Sequence, residues 1–216
     1  MPDAEEERPV SRGAEASLHA VEWLGLPALR KERETKHYRP KNLDERLKRE
    51  RTRNEVRLLT EARRLGVRTP IVYDVDLPRH RLILEQLPGP TLKDLIDAAK
   101  EDPAPVEPPI RALGKAIGRL HAGGITHGDL TSSNILFPGG PSGAPALLDL
   151  SMGSRNAGVE ERGIDLHLVE EDLKALHPNG EALFRAFLEG YAEGNPEGQT
   201  DVRKRAREIR GRVRYA

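Results

Sequence analysis

The spacing of apolar positions changes several times along the chain. Between residues 17 and 31, short apolar pieces broken at Gly25 and Pro27 predict two strands joined by a tight turn. Residues 42–65, NLDERLKRERTRNEVRLLTEARRL, contain neither glycine nor proline. They open on the capping residue Asn42 and stop before Gly66, which predicts one long helix. Within it Val56, Leu59, Ala62 and Leu65 recur every three or four residues, so that Glu55 borders the apolar stripe. Two runs, 71–75 and 81–87, flank the turn-like DLPRH and read as a strand pair. After LEQLPGP, a linker, Thr91 is placed to cap the short helix LKDLIDAAK, and the proline-rich DPAPVEPP separates it from IRALGKAIGRLHAGG. The turn FPGGPSGAP then divides two short apolar strands, 134–137 and 146–149, as in a hairpin. The first part is strand-rich with one long helix and the rest is mostly helical. The expectation is an α+β chain of two lobes, 1–87 and 88–216, hinged near residues 85–90.

Length and composition narrow the class. The 216 residues suffice for one large domain or two small lobes. No apolar run approaches the roughly 18 residues that cross a bilayer, and the acidic start MPDAEEERPV lacks the form of a signal peptide. With no cysteine, a disulfide frame, a thiolate nucleophile and a zinc finger are excluded. A cytoplasmic protein without membrane contact is expected. Acids and bases cancel at 35 each, but unevenly. Residues 1–27 hold six acids and two bases, 28–57 hold twelve bases and six acids, and 201–216 hold seven bases and two acids. A helix-compatible basic tail suits phosphate-backbone contacts, and equally a solvated or partner-docking end.

The chemistry gathers around the expected hairpin. In ITHGDLTSSNIL, Asp129 precedes Asn134 by five residues, and the strand ALLD ends on Asp149. Hard oxygen ligands at the mouths of short strands suit magnesium, which also keeps waters and substrate phosphates. Phosphoryl transfer of the protein-kinase kind needs a catalytic-loop Asp to orient the nucleophile, an Asn on one metal ion and an Asp on another. Asp129, Asn134 and Asp149 fill these roles in order. The same chemistry needs an upstream lysine, an acid to hold it and a glycine-containing loop over the phosphates. Lys31, Glu55 and the segment Gly13-Ala14-Glu15-Ala16 are the candidates, while Glu85 and Leu87 at the strand-to-linker junction are placed to meet an adenine. His121 and His127 read as packing and loop support, and Arg51 and Arg53 equally as a solvated helix face. No Walker loop, HExxH, GxSxG or Rossmann glycine triad occurs.

RGAEA, KERETKHYR followed by LKRERTRNEVRLL, HGDLTSSNIL, ERGIDLHLVEEDL and the terminal RGRVRY together closely resemble the PRPK family, the small atypical protein kinases of the KEOPS complex. The resemblance runs from about residue 9 to the end. It implies a bilobal, minimal protein-kinase-like fold with ATP and magnesium between the lobes. It also implies ATPase or serine/threonine kinase activity, with autophosphorylation, serving threonylcarbamoyl-adenosine modification of tRNA. The implied partners are a KEOPS threonylcarbamoyl transferase subunit, a small regulatory subunit, and tRNA reached through the basic tail. Asp165 resembles the acid that anchors the catalytic loop from below. Two departures stand out. Asp149 is followed by Leu150 and Ser151 where the family of protein kinases has Phe-Gly, and the β-carbon at 151 restricts backbone conformations that glycine allows. Only a short segment separates Asp149 from Ile164, which leaves little platform for a peptide substrate. The competing readings are a non-catalytic scaffold of the same complex and a small-molecule phosphotransferase.

Overall fold

The computed structural model describes residues 11–12, 16–100 and 102–213. Five antiparallel strands come first: β1 Ser11–Arg12, β2 Ala16–Trp23, β3 Leu26–Arg33, β4 Val72–Asp76 and β5 Arg81–Glu85, in the order β1-β2-β3-β5-β4. The β2–β3 turn is made by Leu24 and Gly25, both at positive φ (51° and 81°), the backbone whose twist matches paired strands. β3 thus lies inside the sheet, with Lys31 facing Leu18 on β2 and Leu82 on β5.

Helix α1, Lys41–Arg64, crosses from the sheet toward the rest of the molecule. Its start differs from expectation: Pro40, extended at φ −54° and ψ 134°, holds the capping position and Asn42 falls inside the first turn. The buried face is also rotated. Thr52, Glu55, Leu58, Leu59 and Ala62 are buried, whereas Val56 and Leu65 are only partly covered. The rotation follows from the ion pairs that draw Glu55 under the sheet, described below.

The helical part begins with α2 Leu92–Ala99, whose capping box pairs Thr91 and Asp94. α3, Glu107–Ala122, starts earlier than its apolar spacing predicts, because Pro108 and Pro109 fit a first turn that needs no backbone N–H. β6 Ile135–Leu136 and β7 Ala146–Leu147 form the small hairpin. α4 Val159–Leu176, α5 Gly180–Gly194 and α6 Gln199–Val213 complete the fold.

α3 and α5 form the centre of this half, with Leu113, Ile117, Leu120, Phe187 and Tyr191 essentially inaccessible. Glycines at four-residue spacing on both helices, 114 and 118 against 190 and 194, bring the backbones together. A β-carbon at Gly114 would run into the Phe187 carbonyl, and one at Gly190 into that of Arg111. Each large apolar side chain so buried contributes roughly 1.5–3 kcal/mol. The basic tail is not a loose end: α6 buries Val202, Ala206 and Ile209. It also pairs Arg205 with Glu160 (2.9 Å) and Arg210 with Glu170 (2.6 Å) on α4. Among the described residues no helix is long and apolar enough to cross a membrane.

Candidate active site

Alternation along β3 places Lys31 and Arg33, two residues apart, on the same face of the strand. Both are buried, at 6% and 8% exposure, and both reach Glu55, which is 1% exposed on α1. Lys31 Nζ donates to Glu55 Oε1 and Arg33 Nη2 to Glu55 Oε2, each at 2.6 Å. Lys31 Nζ also lies 2.9 Å from Asp149 Oδ2. Two cations and two carboxylates therefore neutralise one another where single charges would be costly to bury. Burial by itself would raise the Asp149 carboxyl. The Lys31 ammonium and the Ser151 side chain outweigh it, with Arg33 adding to the field, and hold the group well below the usual carboxylate range.

The loop that carries Asp129 is fixed from beneath. Asp165 on α4 accepts the backbone N–H of His127 on Oδ2 (2.6 Å) and that of Gly128 on Oδ1 (2.9 Å). His121 bridges Asp165 Oδ2 (3.1 Å) to the Tyr191 hydroxyl (2.9 Å). Burial would raise the Asp165 carboxyl, but the hydrogen bond and charge of His121 and the His127 N–H bring it below its ordinary value. This is the anchoring role expected of Asp165. Gly128 sits at φ 80°, and a β-carbon there would strike the Met152 carbonyl, so glycine lets this loop press against the segment after Asp149. His127 is fully buried, and its imidazole pKa is pushed down by desolvation against the opposing pull of Asp165, Asp149 and Asp129. Its Nδ1 accepts the Asp129 N–H at 3.3 Å, in keeping with a neutral ring.

Asp129 is thereby presented to solvent at the tip of the loop. Asn134, at the end of a short 3-10 helix Ser132–Asn134, donates from Nδ2 to the Asp129 carbonyl (2.9 Å) and to Asp129 Oδ2 (3.0 Å). The Asn134 carbonyl in turn accepts the Leu148 N–H at 2.9 Å, which ties this loop to the residue before Asp149. Asn134 keeps its amide oxygen, and Asp149 an ionised carboxylate. That donor set is of the hard-oxygen kind that holds magnesium.

Ser151 does not carry the strain its β-carbon suggested. The left-handed residue of this loop is Asp149 itself (φ 50°, ψ 69°), and Leu150–Met152 follow as a 3-10 turn with the Ser151 N–H bonded to Asp149 Oδ1 at 3.3 Å. Not every candidate joins the cluster. Gly13, Ala14 and Glu15 lie outside the described residues, while Ala16 opens β2 opposite Arg33. The Glu85 carboxylate is turned to the Ile71 N–H (3.0 Å), and its own N–H is bonded to the Ile71 carbonyl (2.8 Å). Leu87, half-buried, follows in the linker.

Two contributors escaped the sequence reading. Arg33 could have been found from its place two residues beyond Lys31 on a strand. Asn54, whose Nδ2 donates to the carbonyls of Ser151 (3.2 Å) and Gly153 (2.8 Å), fastens α1 to the Asp149 loop and leaves no signal in spacing.

Comparison with known proteins agrees with this architecture. The family model described as the lipopolysaccharide kinase (Kdo/WaaP) family matches residues 6–191. A "Probable bifunctional tRNA threonylcarbamoyladenosine biosynthesis protein" of Methanosarcina mazei is 41% identical over 209 residues, which is 96% of this chain and 35% of that protein. The chain thus spans about a third of the length of such relatives. The KEOPS complex subunit Bud32 of Pyrococcus abyssi is 34% identical over 218 residues, covering 95% of each. Among solved structures, a Rio2 kinase in an ADP/Mg2+-phosphoaspartate complex from Chaetomium thermophilum superposes with a TM-score of 0.61. That match covers 95% of this chain and 70% of the other at 16% identity, which establishes the protein-kinase-like fold. The chain belongs to the lipopolysaccharide kinase (Kdo/WaaP) family and, with its full-length match, to the Bud32 family of KEOPS subunits.

Proposed function

We propose that the chain is the kinase or ATPase subunit of a KEOPS complex, binding ATP between an N-lobe of residues 1–87 and a reduced C-lobe of residues 88–216. It would use ATP for phosphoryl transfer or hydrolysis in support of threonylcarbamoyl-adenosine modification of tRNA. The observation that carries this reading is the Lys31 ammonium shared by Glu55 and Asp149, elements far apart in sequence, beside the loop that presents Asp129.

In this reading Lys31 neutralises nucleotide phosphates while Glu55 fixes its position, and the segment Gly13–Ala16 is the candidate phosphate-binding loop. Glu85 and Leu87 border the adenine. Asn134 holds one oxygen of Asp129, leaving the other to accept the proton of a water or a serine hydroxyl. Asn134 and Asp149 would hold magnesium, which when bound offsets charge on the transferring phosphoryl group. The chain's own part is positioning and charge neutralisation. α4 begins at Val159, so the link from Asp149 offers a small platform. That favours hydrolysis or serine/threonine autophosphorylation over a wide range of protein substrates. A cytoplasmic KEOPS assembly would supply a threonylcarbamoyl transferase subunit and a small regulatory subunit, with tRNA contacted in part by Lys204 and Arg207, which the tail turns outward.

The test is ATP hydrolysis by the chain alone, then with the transferase subunit, then with tRNA. Asp129→Ala should lower turnover about a thousandfold and leave the melting temperature unchanged, since the side chain is exposed. Equal turnover would refute the role. Calorimetry showing no binding of ATP with magnesium would assign the chain to a scaffold instead.

A further inference from the structure

The sequence holds two basic segments, and the structure uses them differently. In the tail, Arg205, Arg210 and Arg212 are paired with Glu160 and Glu170 of α4, so much of its charge is neutralised within the fold. On α1 the opposite holds. Arg46, Arg49, Arg53 and Arg57 recur at three- and four-residue spacing and are all exposed. Arg46 has only a long contact to Glu50 (3.9 Å), and Arg49, Arg53 and Arg57 make no ion pair or side-chain hydrogen bond among the described residues. The stripe is about 16 Å long at the helical rise per residue.

This stripe also lies in a concave setting. One groove, of about 590 Å³, runs between Arg46, Arg49 and Arg53 and the β4–β5 turn at Leu77, Pro78 and His80. A second, of about 380 Å³, continues past Arg53 and Arg57 to Ser151 in the Asp149 loop. The two share Glu50 and Arg53, so one basic furrow leads from the edge of the sheet to the rim of the candidate active site.

We propose that this furrow on α1 docks RNA through its phosphate backbone, an inference that rests on the proposed service to tRNA modification. Guanidinium groups fit phosphate oxygens in a bidentate manner, and release of counterions makes such binding favourable without any base contact. A protein partner fits less well, because the centre of a protein interface is apolar or aromatic and the furrow offers only Leu77 and Pro78. A membrane surface fits less well too. A helix that lies on lipid presents apolar side chains beside its basic ones, whereas Leu58, Leu59 and Ala62 of α1 face the core.

The experiment measures binding of the full chain to a fluorescently labelled tRNA transcript by anisotropy between about 50 and 200 mM salt. The triple variant Arg49→Gln, Arg53→Gln, Arg57→Gln should weaken binding about tenfold or more and reduce the logarithmic salt slope by about two to three. Its melting temperature and basal ATP hydrolysis should match the parent. A tail variant, Lys204→Gln with Arg207→Gln, should lose less. Unchanged affinity and slope in the triple variant would overturn the proposal. So would a loss confined to the tail variant, or binding to phosphatidylserine vesicles without binding to tRNA. Because binding is read without turnover, failure of the ATPase reading and failure of the RNA surface appear as separate results.

Discussion

The two halves of this molecule are held together by different physics. Around β3 and α1 the interior is partly charged: Lys31, Arg33, Lys48, Asp44 and Glu55 are all buried and joined by ion pairs, beside an apolar layer of Leu58, Leu59, Leu82 and Leu84. In the helical half, α3 and α5 meet through glycines and a continuous apolar core, with His121, Asp165 and Tyr191 as the main polar connection. Buried ion pairs contribute little net stability because desolvation offsets their attraction. Close apolar packing contributes a great deal. The comparison teaches that the sheet and α1 are organised to position charge, while the helical half supplies the rigidity on which that charge is held.

Substitutions can break this division in either direction. The largest effect on stability should come from Gly114→Ala, since its methyl group meets the Phe187 carbonyl and forces α3 from α5. Urea unfolding should show a loss of about 3 kcal/mol, with ATP turnover per folded molecule close to the parent. A change well under 1 kcal/mol would show that the two helices have room to give.

Arg33→Met should do the reverse. Lys31 still neutralises Glu55 in that variant, so the fold survives, but the carboxylate loses the partner that fixes its second oxygen. ATP turnover should fall about tenfold, or about 1.4 kcal/mol of barrier, with the KM for ATP little changed and Arg33→Lys recovering most of the loss. A variant that loses stability without losing turnover would place Arg33 with the structural ion pairs instead.

The smallest effect lies in the pH dependence. His127 has a folded-state pKa depressed by burial, so below about pH 6.5 the unfolded chain takes up a proton that the native chain refuses. The urea midpoint should therefore decline as pH falls from 6.5, and His127→Asn should flatten that decline. Asp149 and Asp165, whose carboxyls are held low, contribute stability that is present above their unfolded values and lost only at more acidic pH. The two windows are separable. A flat profile between pH 7.5 and 5.5 in the parent would remove His127 from the account.

Much of the local architecture could be read beforehand because it depends on residues near in sequence. Helix α1 ends where Gly66 stops it, α2 begins on its Thr91 cap, and β6 and β7 pair across the glycine-rich turn between them. The spacing of Asp129, Asn134 and Asp149 likewise pointed to the chemistry proposed for them, since loop length and side-chain type limit what such a set can hold. The helix starts that were misplaced involve proline. At Pro40, Pro108 and Pro109 a residue that ends helices in general begins one here, because a first turn needs no N–H from it.

What the linear chain determined was therefore the inventory: one long basic helix, a hairpin flanked by three oxygen-bearing residues, and a lysine on a strand. Only the folded molecule decided the partnerships, because they join residues separated by tens of positions through charge and van der Waals contact that periodicity does not encode. It put Arg33 opposite Lys31 on the same carboxylate, matched the glycines of α3 to those of α5, and neutralised much of the tail against α4 while leaving Arg46, Arg49, Arg53 and Arg57 of α1 exposed.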